Sequence, residues 1–125
     1  MAKKKILIVD DDPGILLMLK LMLRLEGYEA IVCEEAMKAL ETMDCENPDL
    51  VLLDAMMPHL DGLAILNLIQ TRNPPKRPPI ILFTGNVDES YMKQALQAGA
   101  SDILIKPFVK EDLLERLQAF LDKRP

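Results

Sequence analysis

Five short apolar runs, each followed by a segment long enough for a helix, set the rhythm of the chain. Ile6-Leu7-Ile8-Val9, Leu50-Val51-Leu52-Leu53, Ile80-Ile81-Leu82-Phe83 and Ile103-Leu104-Ile105 are continuously apolar, with no polar residue at alternate positions. That is the pattern of strands buried on both faces. With a further run at 29–33, strands are predicted near 5–10, 29–33, 49–53, 80–83 and 102–105. The intervening helices are predicted over 13–26, from 34 or 35 to 44, 61–71, 88–98 and 109–123. Asp12 with Pro13 starts the first helix and Gly27 ends it; Asp61 before Gly62 caps the third, and Gly99 closes the fourth. The proline-rich stretch 73–79 reads as a loop before the fourth strand, in preference to a PxxP ligand.

Five strands alternating with five helices imply an α/β fold, a (βα)5 doubly wound parallel sheet with right-handed crossovers. With the flavodoxin-like strand order 2-1-3-4-5, the first and third strands flank the point where the winding reverses, and ligands bind at that edge. Four of the runs end in a polar residue: Asp10-Asp11, Asp54, Thr84 and Lys106. In a parallel sheet these tips share one edge, so Asp10, Asp11 and Asp54 converge. Because Asp61 is the better cap for the third helix, Asp54 is left for chemistry. Clustered carboxylates repel unless protonated or bridged by a cation. An oxygen-only donor set with no Cys or His favours Mg2+, with Mn2+ as a substitute. Three acids also argue against flavodoxin itself, whose loop binds phosphate. Beside a metal, a carboxylate can attack phosphorus; Thr84 would then donate to a phosphoryl oxygen and Lys106 would offset developing negative charge. Taken singly, Thr84 is a turn former and Lys106 a solvated lysine. Asp12 is kept as a cap.

Composition narrows the function. A chain of 125 residues with 50% hydrophobic and 4% aromatic residues fits a single domain with an aliphatic core. A net charge of -5 and pI near 4.9 exclude a basic nucleic-acid surface. The apolar run after Met1-Ala2-Lys3-Lys4-Lys5 is too short for a signal peptide, and the segment 15–25 is interrupted by Lys20 and Arg24, so no membrane insertion is expected. Two cysteines without a CxxC pair, Cys33 and Cys45, and one histidine, His59, give neither a zinc site nor a disulfide framework. A reduced, cytoplasmic setting follows as the expectation. His59 reads as a loop residue.

At these residues the chain resembles a response-regulator receiver domain of two-component signalling, over essentially its whole length (core about 4–123, with no output domain). The matching pieces are Ile6 to Asp11, Pro48 to Asp54 with Met57-Pro58 and Asp61-Gly62, Phe83-Thr84, Ala98-Gly99-Ala100 and Lys106-Pro107-Phe108. The resemblance implies that Asp54 accepts a phosphoryl group from a phosphohistidine on a sensor histidine kinase or histidine phosphotransfer protein. It implies that Asp10 and Asp11 hold magnesium, Asp11 directly, with the Met56 backbone carbonyl. Thr84 and Lys106 would bind phosphoryl oxygens, and the peptide before Pro107 would be cis. The face of the fourth helix, fifth strand and fifth helix would then carry the output to a protein target, a fused output domain or a phosphorylation-dependent homodimer. Such a module is not an enzyme on external substrates. A receiver that signals only by binding and an aspartyl-phosphate phosphatase are the alternatives, but the latter needs an acid two residues after the nucleophile, where Met56 stands.

Two positions depart from the family pattern and two more bear on the lifetime of the phosphorylated state. Ile103 replaces the usual aromatic switch partner of the threonine, Gly85 replaces the commoner alanine, and Met56 and Asn86 occupy positions that modulate dephosphorylation. On the first helix, placing Lys20 and Arg24 outward puts Ile15, Met18, Leu19 and Met22 on the core side, with Leu17 and Leu21 beside the charged stripe. Wider burial and a partner-docking patch are both open for these two leucines.

Overall fold

The computed structural model describes residues 3–57, 60–71 and 78–121. In chain order the elements are β1 (Lys5–Val9), α1 (Pro13–Leu25), β2 (Glu29–Cys33), a single 3-10 turn (Ala36–Lys38) leading into α2 (Ala39–Glu46), β3 (Leu50–Asp54), β4 (Met56–Met57), β5 (Leu60–Asp61), α3 (Gly62–Gln70), β6 (Ile80–Thr84), α4 (Glu89–Gln97), β7 (Asp102–Ile105) and α5 (Lys110–Leu121). The main sheet is parallel throughout, in the order β2-β1-β3-β6-β7. With the β4-β5 hairpin set aside, this is the expected 2-1-3-4-5 order.

Side chains of the central strands alternate between two buried layers, as a period of two requires. Leu7, Val9, Val51, Leu53 and Leu82 pack with residues of α2, α3 and α4, among them Met43, Ile65, Leu66, Ile69 and Ala95. Ile6, Ile8, Leu50, Leu52, Ile81 and Phe83 pack with Leu16, Leu19 and Leu23 of α1 and Leu113, Leu117 and Leu121 of α5. The strands are therefore apolar at every position because each face meets a helix layer.

The caps expected at Asp12 and Asp61 form, and Asp88 caps α4 as well. Asp12 accepts from the N–H groups of Gly14 and Ile15, Asp61 from Leu63 and Asp88 from Ser90. Three expectations are corrected. The segment from Glu35 enters α2 through a 3-10 turn and the helix runs two residues past 44, ending at Asn47 in the left-handed region (φ 49°). β3 includes Asp54 as its last residue, in register with Phe83 of β6. The core face of α1 is Leu16, Leu19 and Leu23; Ile15 and Met22 are only partly buried, and Met18 is 52% exposed. An i, i+3, i+7 row meets the sheet there, a turn of about one residue from the predicted one.

The proline-rich segment falls largely, and His59 entirely, outside the described residues. Cys33 is buried and Cys45 exposed, and both are free thiols. Among the described residues no helix is long and apolar enough to cross a membrane.

Candidate functional site

The carboxyl ends of β1, β3, β6 and β7 bring the polar tips together. One carboxylate oxygen from each of Asp10, Asp11 and Asp54 lies within 4.8 Å of the others, with Asp10 and Asp54 buried and Asp11 exposed. Asp54 Oδ1 accepts from the Met56 N–H at 3.2 Å and from Lys106 Nζ at 3.3 Å. Lys106 Nζ also stands 4.9 Å above the Phe83 ring, a cation–π contact that holds the ammonium over β6. Its backbone N–H donates to Thr84 O at 2.8 Å, tying the two tips to each other. The Lys106–Pro107 peptide is cis, as the resemblance implies.

Thr84 is 1% exposed, and its Oγ1 accepts from the Asn86 N–H at 3.0 Å, which leaves the hydroxyl proton to be donated elsewhere. Ile103 is buried on β7 and carries no polar group; its carbonyl accepts from Arg116 Nη1 of α5. Gly85 is exposed just beyond Thr84. Leu17 and Leu21 are 57% and 53% exposed, so wider burial does not account for them.

Asp10 is the electrostatically strained member. Its Oδ1 accepts from the Asp12 N–H at 2.9 Å, while Oδ2 is buried without a partner. Burial, first of all, and then the charge of Asp54 push its carboxyl up to about 6, against the opposing pull of the Asp12 N–H and Lys106. An orphaned buried carboxylate oxygen facing two further carboxylates is the donor set a hard divalent cation needs, so these residues fit magnesium.

Two cavities flank the cluster. One, of about 460 Å3, is lined by Ile15, Met18, Phe83, Lys106, Pro107 and Phe108. The other, of about 630 Å3, is lined by Asp11, Ala55, Met56, Met57, Asp61 and Tyr91. Tyr91 had no signal in the sequence, being one aromatic in a polar helix; only the packing of α4 beside the end of β3 brings it here. Burial and the charges of Asp61 and Asp54 raise its phenol above the ordinary value.

The family model for the response regulator receiver domain matches residues 6–118. Over 119 residues, 95% of the chain, the sequence is 34% identical to the DNA-binding response regulator MtrA of Mycolicibacterium smegmatis, of which the match covers 51%. The chain spans about half the length of the curated relatives it matches. Among solved structures, the chemotaxis protein CheY4 of Vibrio cholerae aligns with a TM-score of 0.89 at 29% identity, covering 96% of this chain and all of that one. The receiver domain of the sensor histidine kinase PA1611 from Pseudomonas aeruginosa, solved with magnesium in its active-site cleft, aligns at 0.87 and 31%, covering 98% of this chain and 100% of that one.

Proposed function

The chain belongs to the response regulator receiver domain family of two-component signalling, and on that premise we propose that Asp54 accepts a phosphoryl group from a phosphohistidine donor. The observation that carries the reading is the convergence of three carboxylates, a lysine and a threonine hydroxyl at one sheet edge, with Asp54 Oδ1 held from two sides. Those two contacts fix the carboxylate plane and leave Oδ2 for attack. As the new bond from oxygen to phosphorus forms, the bond from phosphorus to the donor imidazole nitrogen breaks, and the leaving imidazole takes up a proton. Lys106 offsets the negative charge spread over the phosphoryl oxygens, and Thr84 donates its hydroxyl to one of them. Asp10, Asp11 and Asp54, with the Met56 carbonyl, would hold a magnesium ion, whose charge screens the carboxylates and the phosphoryl oxygens. The module turns over no external substrate and works in the cytoplasm.

Incubation with acetyl phosphate and magnesium, read by intact mass, tests this. We expect one phosphoryl group on the native chain, stable to acid and labile to base, and none on Asp54→Ala. Labelling that survives in Asp54→Ala would defeat the assignment.

The donor protein would dock on α1. Leu17 and Leu21 lie on its open face, and Met18 continues that face into the apolar groove beside Lys106. A helical bundle carrying the phosphohistidine fits such a surface, since it must bring its imidazole to Asp54. Leu17→Lys with Leu21→Lys is expected to slow transfer from a phosphorylated cognate donor by about tenfold, a loss of roughly 1.4 kcal/mol of docking energy. Labelling by acetyl phosphate should stay as it is; equal slowing of both would place the effect in the site instead. Output would leave through α4, β7 and α5, towards a protein target, a second copy or a fused domain such as the DNA-binding one named for MtrA.

A further inference from the structure

Tyr91 packs its ring against the core layer beneath α2, α3 and α4, while its Oη is shielded from solvent and has no hydrogen-bond partner among the described residues. A phenol is a good donor, and folded proteins seldom bury one unmet. Its position points to the missing partner. Tyr91 lines the 630 Å3 cavity with Asp11, Met56 and Asp61, against the end of β3 where Asp54 sits. The carboxylates of Asp61 and Asp54 are near enough for their fields to reach the phenol, yet neither accepts its proton: Asp61 Oδ1 takes the Leu63 N–H and Asp54 Oδ1 takes Met56 and Lys106.

We infer that the Tyr91 hydroxyl donates to an oxygen of the phosphoryl group carried by Asp54, so that α4 is tied directly to the modified aspartate. The inference rests on the reading of Asp54 as acceptor. Phosphorylation adds three acceptor oxygens one bond beyond the carboxylate, towards the open side of the strand tip. A neutral O–H meets them without competing for the metal, unlike a second lysine. Lys106 follows β7 and Thr84 ends β6, so a donor on α4 adds a contact from a third element. It also gives α4 a contact with the phosphorylated state that Ile103, a hydrocarbon on β7, does not offer.

The test is the affinity of beryllofluoride, a phosphoryl mimic, for the magnesium-loaded chain and for Tyr91→Phe, followed by fluorine NMR. Because no hydrogen bond is lost in the free protein and a buried unmet hydroxyl is removed, the variant should unfold at the same or a somewhat higher urea concentration and bind magnesium as before. Its beryllofluoride affinity should fall by about tenfold, as for a lost bond to a charged acceptor. Equal affinities in the two proteins would overturn the inference and leave Asp54 untouched. A native chain that neither binds beryllofluoride nor labels from acetyl phosphate would instead sink the acceptor reading, and the Tyr91 contact with it.

Discussion

Asp10→Asn is expected to make the magnesium-free protein more stable at pH 7, by about 2 kcal/mol, while weakening magnesium binding by about tenfold or more. The gain follows from what the native carboxylate lacks. Asp10 is 1% exposed, its Oδ2 has no partner, and Asp54 faces it with a like charge. An asparagine keeps an oxygen for the Asp12 N–H, removes the buried charge and adds a donor that Asp54 can use. The sign with pH is fixed by linkage. The Asp10 carboxyl titrates at about 6 in the fold against 3.8 for the ordinary group, so the native state holds this proton more tightly than the unfolded chain does. Stability is therefore lost as pH rises from about 4 to about 6, and the loss is complete above that window. The advantage of Asp10→Asn should vanish near pH 3.5 and be full at pH 7. Saturating magnesium should narrow the gap by about 1.4 kcal/mol for each tenfold of affinity lost, and reverse the order once the loss exceeds about thirtyfold, because ligand binding stabilises each protein according to its own affinity. Urea unfolding of both proteins across pH, with and without magnesium, checks every part; a metal-free variant less stable than the native chain at pH 7 would refute the account.

The same conflict explains why the site was legible in the sequence. A buried apolar strand that ends in a carboxylate sets hydrophobic burial against the cost of desolvating a charge, and only a functional gain offsets that cost. Asp10, Asp54, Thr84 and Lys106 stand out by this contrast, and the parallel topology then brings them to one edge. Where the contrast is missing, the pattern fails. In Pro13–Leu25 nearly every residue is apolar, so no period marks the face that meets the sheet, and Met18 falls outside while Leu16 and Leu23 fall inside. The β4-β5 hairpin pairs only two residues per strand, too few for alternation to register. Tyr91 becomes part of the site through the docking of α4, which no local pattern encodes. Gly62 read as a loop glycine beside the Asp61 cap, and its close approach to Ala55 is visible only in space.

Gly62→Ala should lower the unfolding free energy by about 1 kcal/mol and weaken magnesium binding, although glycine to alanine in a helix ordinarily stabilises. At this position an added Cβ would lie 2.8 Å from Ala55 Cα and 3.1 Å from Ala55 O, closer than carbon contacts in folded proteins. Neither side can give easily. The Gly62 N–H donates to Ala55 O at 3.1 Å, and the Ala55 N–H is tied to Phe83 O of β6 at 3.0 Å, so a methyl group must push α3 off the strand end or push Ala55 into the sheet. Overpacking of this kind costs about 1–3 kcal/mol, while the gain in helix propensity and unfolded-chain entropy returns about 1 kcal/mol. The clash wins because its obstacle is backbone. Ala55 is bonded to Asp54, so any relief by that route moves the carboxylate against Lys106 and the metal ligands, and affinity falls together with stability. Gly85→Ala is the matched control, since a Cβ there meets nothing within 4 Å; it should leave stability and magnesium binding nearly unchanged. If the two variants unfold at the same urea concentration, the close approach of α3 to Ala55 is not what holds glycine at position 62.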